Sequence, residues 1–203
     1  MTIKLYKGDL PGDLDLGKSV AIDTETMGLK PRRDKLCLAQ LSSGDGVAHL
    51  VQFDRDTYDC PNLKKLLADT SVVKIMHFAR FDIAVMHYYL GVSCQPVYCT
   101  RTASKLIRTY TDRHGLRDIC RELIGVEISK QQQSSDWGAD DLSEEQLNYA
   151  ANDVYHLHKL KDVLDATLKR EGRTDLARRV FDFLPTRAEL DILGWNGADI
   201  LEH

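Results

Sequence analysis

The sequence predicts an α/β layered domain in which a mixed sheet is flanked by helices and the C-terminal half is helical. Three features of the 203-residue chain carry that expectation. Short apolar runs separated by glycine-containing turns fill the first third, as the strands of a sheet do. Apolar residues recurring at three- and four-residue steps, the helical period, dominate from Thr100 onward. Between these regions strand-like and helix-like segments alternate, which is the order of a layered α/β domain.

Ser19-Val-Ala-Ile-Asp23 is an apolar run that breaks abruptly into polar residues and Gly28, as a core strand does on emerging at a sheet edge. Runs 36–41 and 47–53 flank Ser42-Ser-Gly-Asp-Gly46, whose two glycines suit a tight reversal. The three runs read as an antiparallel meander. A helix over about 62–68, a strand over 72–76, a helix over about 79–90 and a short strand near 96–99 follow. Leu106, Leu116, Ile119 and Leu123 mark further helices, and Leu147, Ala150, Val154, Leu157 and Leu160 mark one continuous helix over 144–160. Residues 131–135 read as an exposed loop. Beyond Pro185, Leu190, Ile192, Leu193, Trp195, Ile200 and Leu201 make the tail too apolar for a free terminus, so it is expected to pack on the domain or on a neighbouring subunit.

A hydrophobic fraction of 43% supplies one sizeable core, and a single domain over 1–203 is the default. With 27 Lys and Arg against 31 Asp and Glu, the net charge of −4 argues against a protein that coats long polyanions. Metal ions can still supply positive charge locally. The five cysteines show no C-x-x-C pair, so reduced structural thiols are expected, and no apolar signal or membrane span is evident. A cytoplasmic location follows.

Asp23 and Glu25 stand at i and i+2 at a strand end, so both carboxylates leave the same face and can share a hard cation. Alone, D-x-E also reads as two solvated acids, but this pair directly follows Val20-Ala-Ile22, which delivers it to the edge of a buried sheet. Tyr149 and Asp153, at i and i+4, lie one above the other on a helix face. Ala150, Ala151 and Val154 surround Asp153, and an acid pressed against a core needs a partner to offset its desolvation. Asp82, one turn into a helix, reads equally as an acid complementing the helix dipole.

Four acids on three elements with one tyrosine resemble the DEDDy 3′-5′ exonucleases. Asp23-Thr-Glu25 is similar to their first motif, His77 to Asp82 to the second, and Tyr149-Ala-Ala-Asn-Asp153 to the third. Gly115-Leu-Arg-Asp, Ser135-Asp-Trp137 and Leu142-Ser-Glu-Glu-Gln-Leu-Asn-Tyr149 resemble the ribonuclease D family in particular, over about residues 18–165. The whole-chain pattern, including Thr109-Tyr-Thr-Asp-Arg-His-Gly115 and Phe183-Leu-Pro-Thr-Arg187, is similar to the compact nano-ribonuclease C group of alphaproteobacteria. The resemblance implies a ribonuclease H-like fold, removal of nucleotides from short single-stranded RNA down to dinucleotides, and a homo-oligomer in the form of an octameric ring. DNA, or both nucleic acids, is the alternative substrate, because no residue evidently reads a 2′ hydroxyl.

Phosphodiester hydrolysis needs an activated water and neutralisation of growing charge, which two hard cations can supply. An all-carboxylate donor set suits Mg²⁺ or Mn²⁺ and argues against zinc. By the family pattern Asp23 bridges two divalent ions, Glu25 and Asp153 hold the first, and Asp82 acts largely through water on the second. Tyr149, with an ordinary pKa near ~10, orients the attacking water rather than serving as a free phenolate.

Leu29 stands where related oligoribonucleases present a leucine wedge between bases, although a core-facing leucine in a turn is an equal reading. His77 is a substrate-binding candidate for the terminal phosphate or sugar, set against a satisfied structural histidine. Arg101, Lys105, Arg108, Arg113, Arg117 and Lys130 are candidates for phosphate contacts, and Trp137 for base stacking or helix packing. Two further readings share these features: an inactive nucleic-acid-binding domain, disfavoured because a binding module has no need of four mutually repelling acids, and a small-molecule phosphoesterase, which has no need of Leu29.

Overall fold

A computed structural model describes residues 1–129, 131–198 and 200–202. Six strands form one mixed sheet: β1 (Thr2–Lys7), β2 (Ser19–Thr26), β3 (Leu36–Ser42), β4 (Val47–Gln52), β5 (Val73–Met76) and β6 (Val97–Cys99). Their order is β1-β4-β3-β2-β5-β6. The pairs β2·β3 and β3·β4 are antiparallel, which is the expected meander, whereas β1·β4, β2·β5 and β5·β6 are parallel. Every residue of β3 is buried, as a central strand covered on both faces requires.

The α-helices are α1 (Pro61–Ala68), α2 (Ala79–Leu90), α3 (Thr100–Ile107), α4 (Leu116–Ile119), α5 (Glu144–Tyr155), α6 (Leu157–Arg170) and α7 (Thr174–Leu190), with π-helical turns at Cys120–Ile124 and Asp191–Trp195 extending α4 and α7. Pro61 opens α1, where its missing N–H is no loss, and Gly91 closes α2 in the left-handed conformation at φ 66°. Ser143 and Gln146 form a reciprocal capping box that fixes the start of α5.

Three features depart from the sequence-based expectation. β1 was not foreseen: most of its residues are exposed, so it has little apolar signal and exists by pairing its backbone with β4. The continuous helix over 144–160 is two helices that meet at His156. No glycine or proline marks that break. Tertiary packing makes it, because α5 lies across β2, β3 and β4 whereas α6 turns onto α3. Finally, α7 runs through Pro185 to Leu190 and lies along α2. The tail beyond it docks by Asp191, which accepts from Arg80 and Arg187, while Leu193, Trp195 and Ile200 stay exposed.

Candidate active site

The C-terminal half of β2 carries Asp23 and Glu25 in the middle of the sheet, between β3 and β5. The strand continues to Thr26, so the acid pair belongs to the strand itself and is held by its ladder. α2 presents Asp82 from its first turn, and α5, lying against β2, presents Tyr149 and Asp153. Carboxylate oxygens of Asp23, Glu25 and Asp153 lie within 4.8 Å of one another. Asp82 is 3% exposed and accepts a 2.6 Å hydrogen bond from the Thr24 hydroxyl. Asp23 accepts one of 2.7 Å from the Gln40 amide, its cross-strand neighbour on β3.

These partners orient the acids without neutralising them. Burial pushes Asp23 up to about 7, against the opposing bonds from Thr24 and Gln40. Glu25 is raised well above the carboxylate range by burial and then by Asp23, Asp153 and Asp82. Asp82 and Asp153 are raised in the same way, first by burial and then by Asp23. Tyr149 is raised by burial and the neighbouring acids, so its phenol stays protonated at neutral pH. Among the described residues no cationic side chain stabilises these four mutually repelling carboxylates, which form a donor set that a hard divalent cation fits.

The acids form the floor of a cleft of about 600 Å³, whose walls include Leu29, Phe78, Arg101, Arg117 and Gln133. Leu29 is 84% exposed, so the core-facing alternative does not apply. Its loop is tied down by a bond from the Thr26 hydroxyl to the Gly28 carbonyl, by Met27 N–H to Lys35 O at 3.0 Å, and by Lys30 N–H to the Asp34 carboxylate at 2.9 Å. A Cβ on Gly28 would stand 2.4 Å from that same carboxylate, so any larger residue there must displace Asp34 from its bond to Lys30 N–H.

His77 lines the cleft, yet its Nδ1 is 2.9 Å from the Thr100 hydroxyl, which itself donates to Met76 O at 3.2 Å. Thr100 therefore accepts from His77, and burial followed by Arg101 holds the imidazole neutral, down at about 3. The imidazole therefore carries no positive charge for a phosphate, while its buried Nε2 has no hydrogen-bond partner among the described residues. Trp137, 3% exposed, stands in a loop with its ring 6.0 Å from that of Tyr149, so it packs against α5 and backs the tyrosine rather than stacking a base. Arg108 is buried, paired with Glu122 and bonded to Arg113 O, and so is structural. Arg101 and Arg117 line the cleft, Lys105 and Arg113 are exposed, and Lys130 lies outside the described residues.

Sequence reasoning missed Thr24, Gln40 and Phe78. Gln40 had a signal, since it is the one amide in the otherwise apolar run Leu36-Cys-Leu-Ala-Gln-Leu41. The other two had none.

A family model described as 3′-5′ exonuclease matches residues 10–169, and the chain belongs to that family. Within it, NrnC of Brucella melitensis is similar over the entire chain. Its structure with bound Mg²⁺ is 54% identical, covers 100% of both chains and superposes with a TM-score of 0.96. The same protein bound to pGG is 55% identical, over 100% of this chain and 99% of that one, with a TM-score of 0.97. Ribonuclease D of Gluconacetobacter diazotrophicus is 36% identical over 77% of this chain, which spans only 39% of that protein's length. The Escherichia coli RNase D structure shares the fold with a TM-score of 0.74 at 25% identity, over 85% of this chain and 45% of that one. The resemblance to ribonuclease D and to the nano-ribonuclease C group, and the layered fold it implied, are therefore borne out. Among the described residues no helix is long and apolar enough to cross a membrane.

Proposed function

We propose that this chain is a single-domain exoribonuclease that acts from the 3′ end on short RNAs, dinucleotides included, releasing nucleoside 5′-monophosphates. The observation that carries the reading is the convergence of Asp23, Glu25, Asp82, Asp153 and Tyr149 at the floor of a cleft whose rim bears the exposed Leu29. Asp23, Glu25, Asp82 and Asp153 would hold two divalent ions. Bound there, Mg²⁺ or Mn²⁺ supplies an ionised water and neutralises charge developing on the phosphoryl oxygens.

The chain's own groups do the rest. The Tyr149 hydroxyl keeps its proton and orients the attacking water by hydrogen bonding. Gln40 and Thr24 hold Asp23 and Asp82 in the rotamers that face the cleft. Leu29, fixed by the Gly28 turn, separates two bases by apolar contact without reading sequence. Residues 129 and 133–135, with Arg117, wall the cleft, which suits a substrate of few nucleotides. The pGG-bound structure of Brucella NrnC supports the same substrate class. The apolar tail with Leu193, Trp195 and Ile200 exposed supports assembly into a homo-oligomer, which light scattering showing only a monomer would overturn.

The test is a time course on 5′-labelled RNAs of two, five and twenty nucleotides and a matched DNA, with Mg²⁺, Mn²⁺ or chelator, for wild type beside Asp23→Ala. Shortening from the 3′ end that needs both metal and Asp23, with the dinucleotide consumed fastest, is expected. Equal turnover of DNA would replace the RNA reading with a general exonuclease. Failure to cut any of them would bring forward the phosphoesterase or the binding module.

A further inference from the structure

Phe78 occupies the position just before α2 with φ 63° and ψ 41°, in the left-handed region that bulky side chains rarely adopt. Its neighbours impose this geometry. His77 is fixed to Thr100, Ala79 is fully buried, and Phe78 O accepts the Phe81 N–H at 3.1 Å to start the helix. Glycine or asparagine would meet the backbone requirement at lower cost, so the turn alone does not explain a phenylalanine there. Nor does the core, because the ring is 47% exposed.

What the backbone geometry does is hold an aromatic ring in the wall of the catalytic cleft. The Arg101 guanidinium carbon lies 5.1 Å from the ring centroid and covers one face. Leu29 and Met27, delivered by a different element, the loop after β2, are apolar side chains exposed in that cleft to a greater degree. Strain of this kind persists where the surroundings over-determine it, and such residues gather at binding sites.

We propose that the uncovered face of Phe78 is a stacking platform for one nucleobase of the bound RNA, held in place by the left-handed backbone and by Arg101 behind the ring. Every base has a π face, so the platform adds affinity without sequence preference. A short substrate has few phosphates to grip, which makes each base contact a larger share of its binding. The proposal rests on the short-RNA reading above and adds a specific contact to it.

The test uses the full chain with Mg²⁺ and three substrates: an intact RNA dinucleotide and two analogues, each lacking one base. For Phe78→Ala the KM of the intact dinucleotide should rise by about 5- to 100-fold with kcat little changed, the range that loss of one stacked base covers. Wild type should show a similar rise with one of the two analogues, and on that analogue Phe78→Ala should add nothing further. Phe78→Tyr, which keeps the ring, should restore the wild-type KM and guards against a folding defect in the alanine variant. An unchanged KM for Phe78→Ala, or the same rise on all three substrates, overturns the platform while leaving the exonuclease reading intact. Absence of cleavage by wild type on every substrate overturns the reading itself and the platform with it.

Discussion

Replacing Asp153 by asparagine tests whether the acid cluster is built for cations. In metal-free protein the ionised cluster is a liability. Asp23 alone moves from its ordinary 3.8 to about 7, which corresponds to about 4 kcal/mol at 1.36 kcal/mol per pH unit, a magnitude that belongs to the coupled group of acids. Because the folded-state value lies above the unfolded one, the stabilising contribution is complete below about pH 4 and is lost as the pH climbs through about 7. Two charges within 4.8 Å repel by about 3 kcal/mol at an effective dielectric of about 20. Screening through the open side of the cleft reduces this to about 1–2 kcal/mol. Asp153 accepts a hydrogen bond from the Tyr149 hydroxyl, and Asp153→Asn removes the repulsion while keeping an oxygen for that bond. In chelator at pH 8 its Tm should therefore exceed that of wild type by about 2–8 °C, at about 2–4 °C per kcal/mol for a chain of this size. At pH 5 the gap should shrink, since the wild-type cluster then holds protons. Millimolar Mg²⁺ should raise the wild-type Tm and leave the variant nearly unmoved, and turnover by the variant should be almost abolished. A variant that is less stable than wild type in chelator at both pH values, or that gains as much from Mg²⁺, would refute the cation-site reasoning.

Further expectations concern residues around the cluster. Tyr149→Phe should fold normally and lose about 10- to 100-fold in kcat with little change in KM, and the wild-type rate should show no phenol ionisation below about pH 10. Leu29→Ala, at an exposed position, should leave Tm unchanged and lower kcat/KM for a dinucleotide by about tenfold. Gly28→Ala should have a comparable kinetic effect through a different route, because its methyl meets the Asp34 carboxylate and displaces the loop that carries Leu29. At Phe78 the usual order of glycine and alanine should invert. Phe78→Gly should melt about 2–4 °C above Phe78→Ala, because only glycine relieves about 1 kcal/mol of left-handed strain, and a glycine variant melting lower would show that position 78 is not strained.

Much of this molecule was legible before any coordinates. The meander was written in three apolar runs and one glycine-rich reversal, and α2 in a helical period that ends at Gly91. Spacing placed Asp23 with Glu25 and Tyr149 with Asp153, because i and i+2 on a strand and i and i+4 on a helix are local geometry, whereas Asp82 joined them only through the resemblance to the three DEDDy motifs. The strand β1, the break at His156 and the passage of α7 through Pro185 were not, since each depends on what the segment packs against rather than on its own residues.

The sequence by itself determined the layered fold, the chemistry of the donor set and the family to which the chain belongs. Only the tertiary structure decided whether Leu29 faces the core or the cleft, whether His77 is charged, which arginine is buried and which lines the site, and that Phe78 stands in the wall. The physical reason is range. Periodicity and spacing are set over a few residues, whereas exposure, desolvation and hydrogen-bond partners arise between segments such as Asp23 and Gln40, or His77 and Thr100, that meet only when the chain has folded.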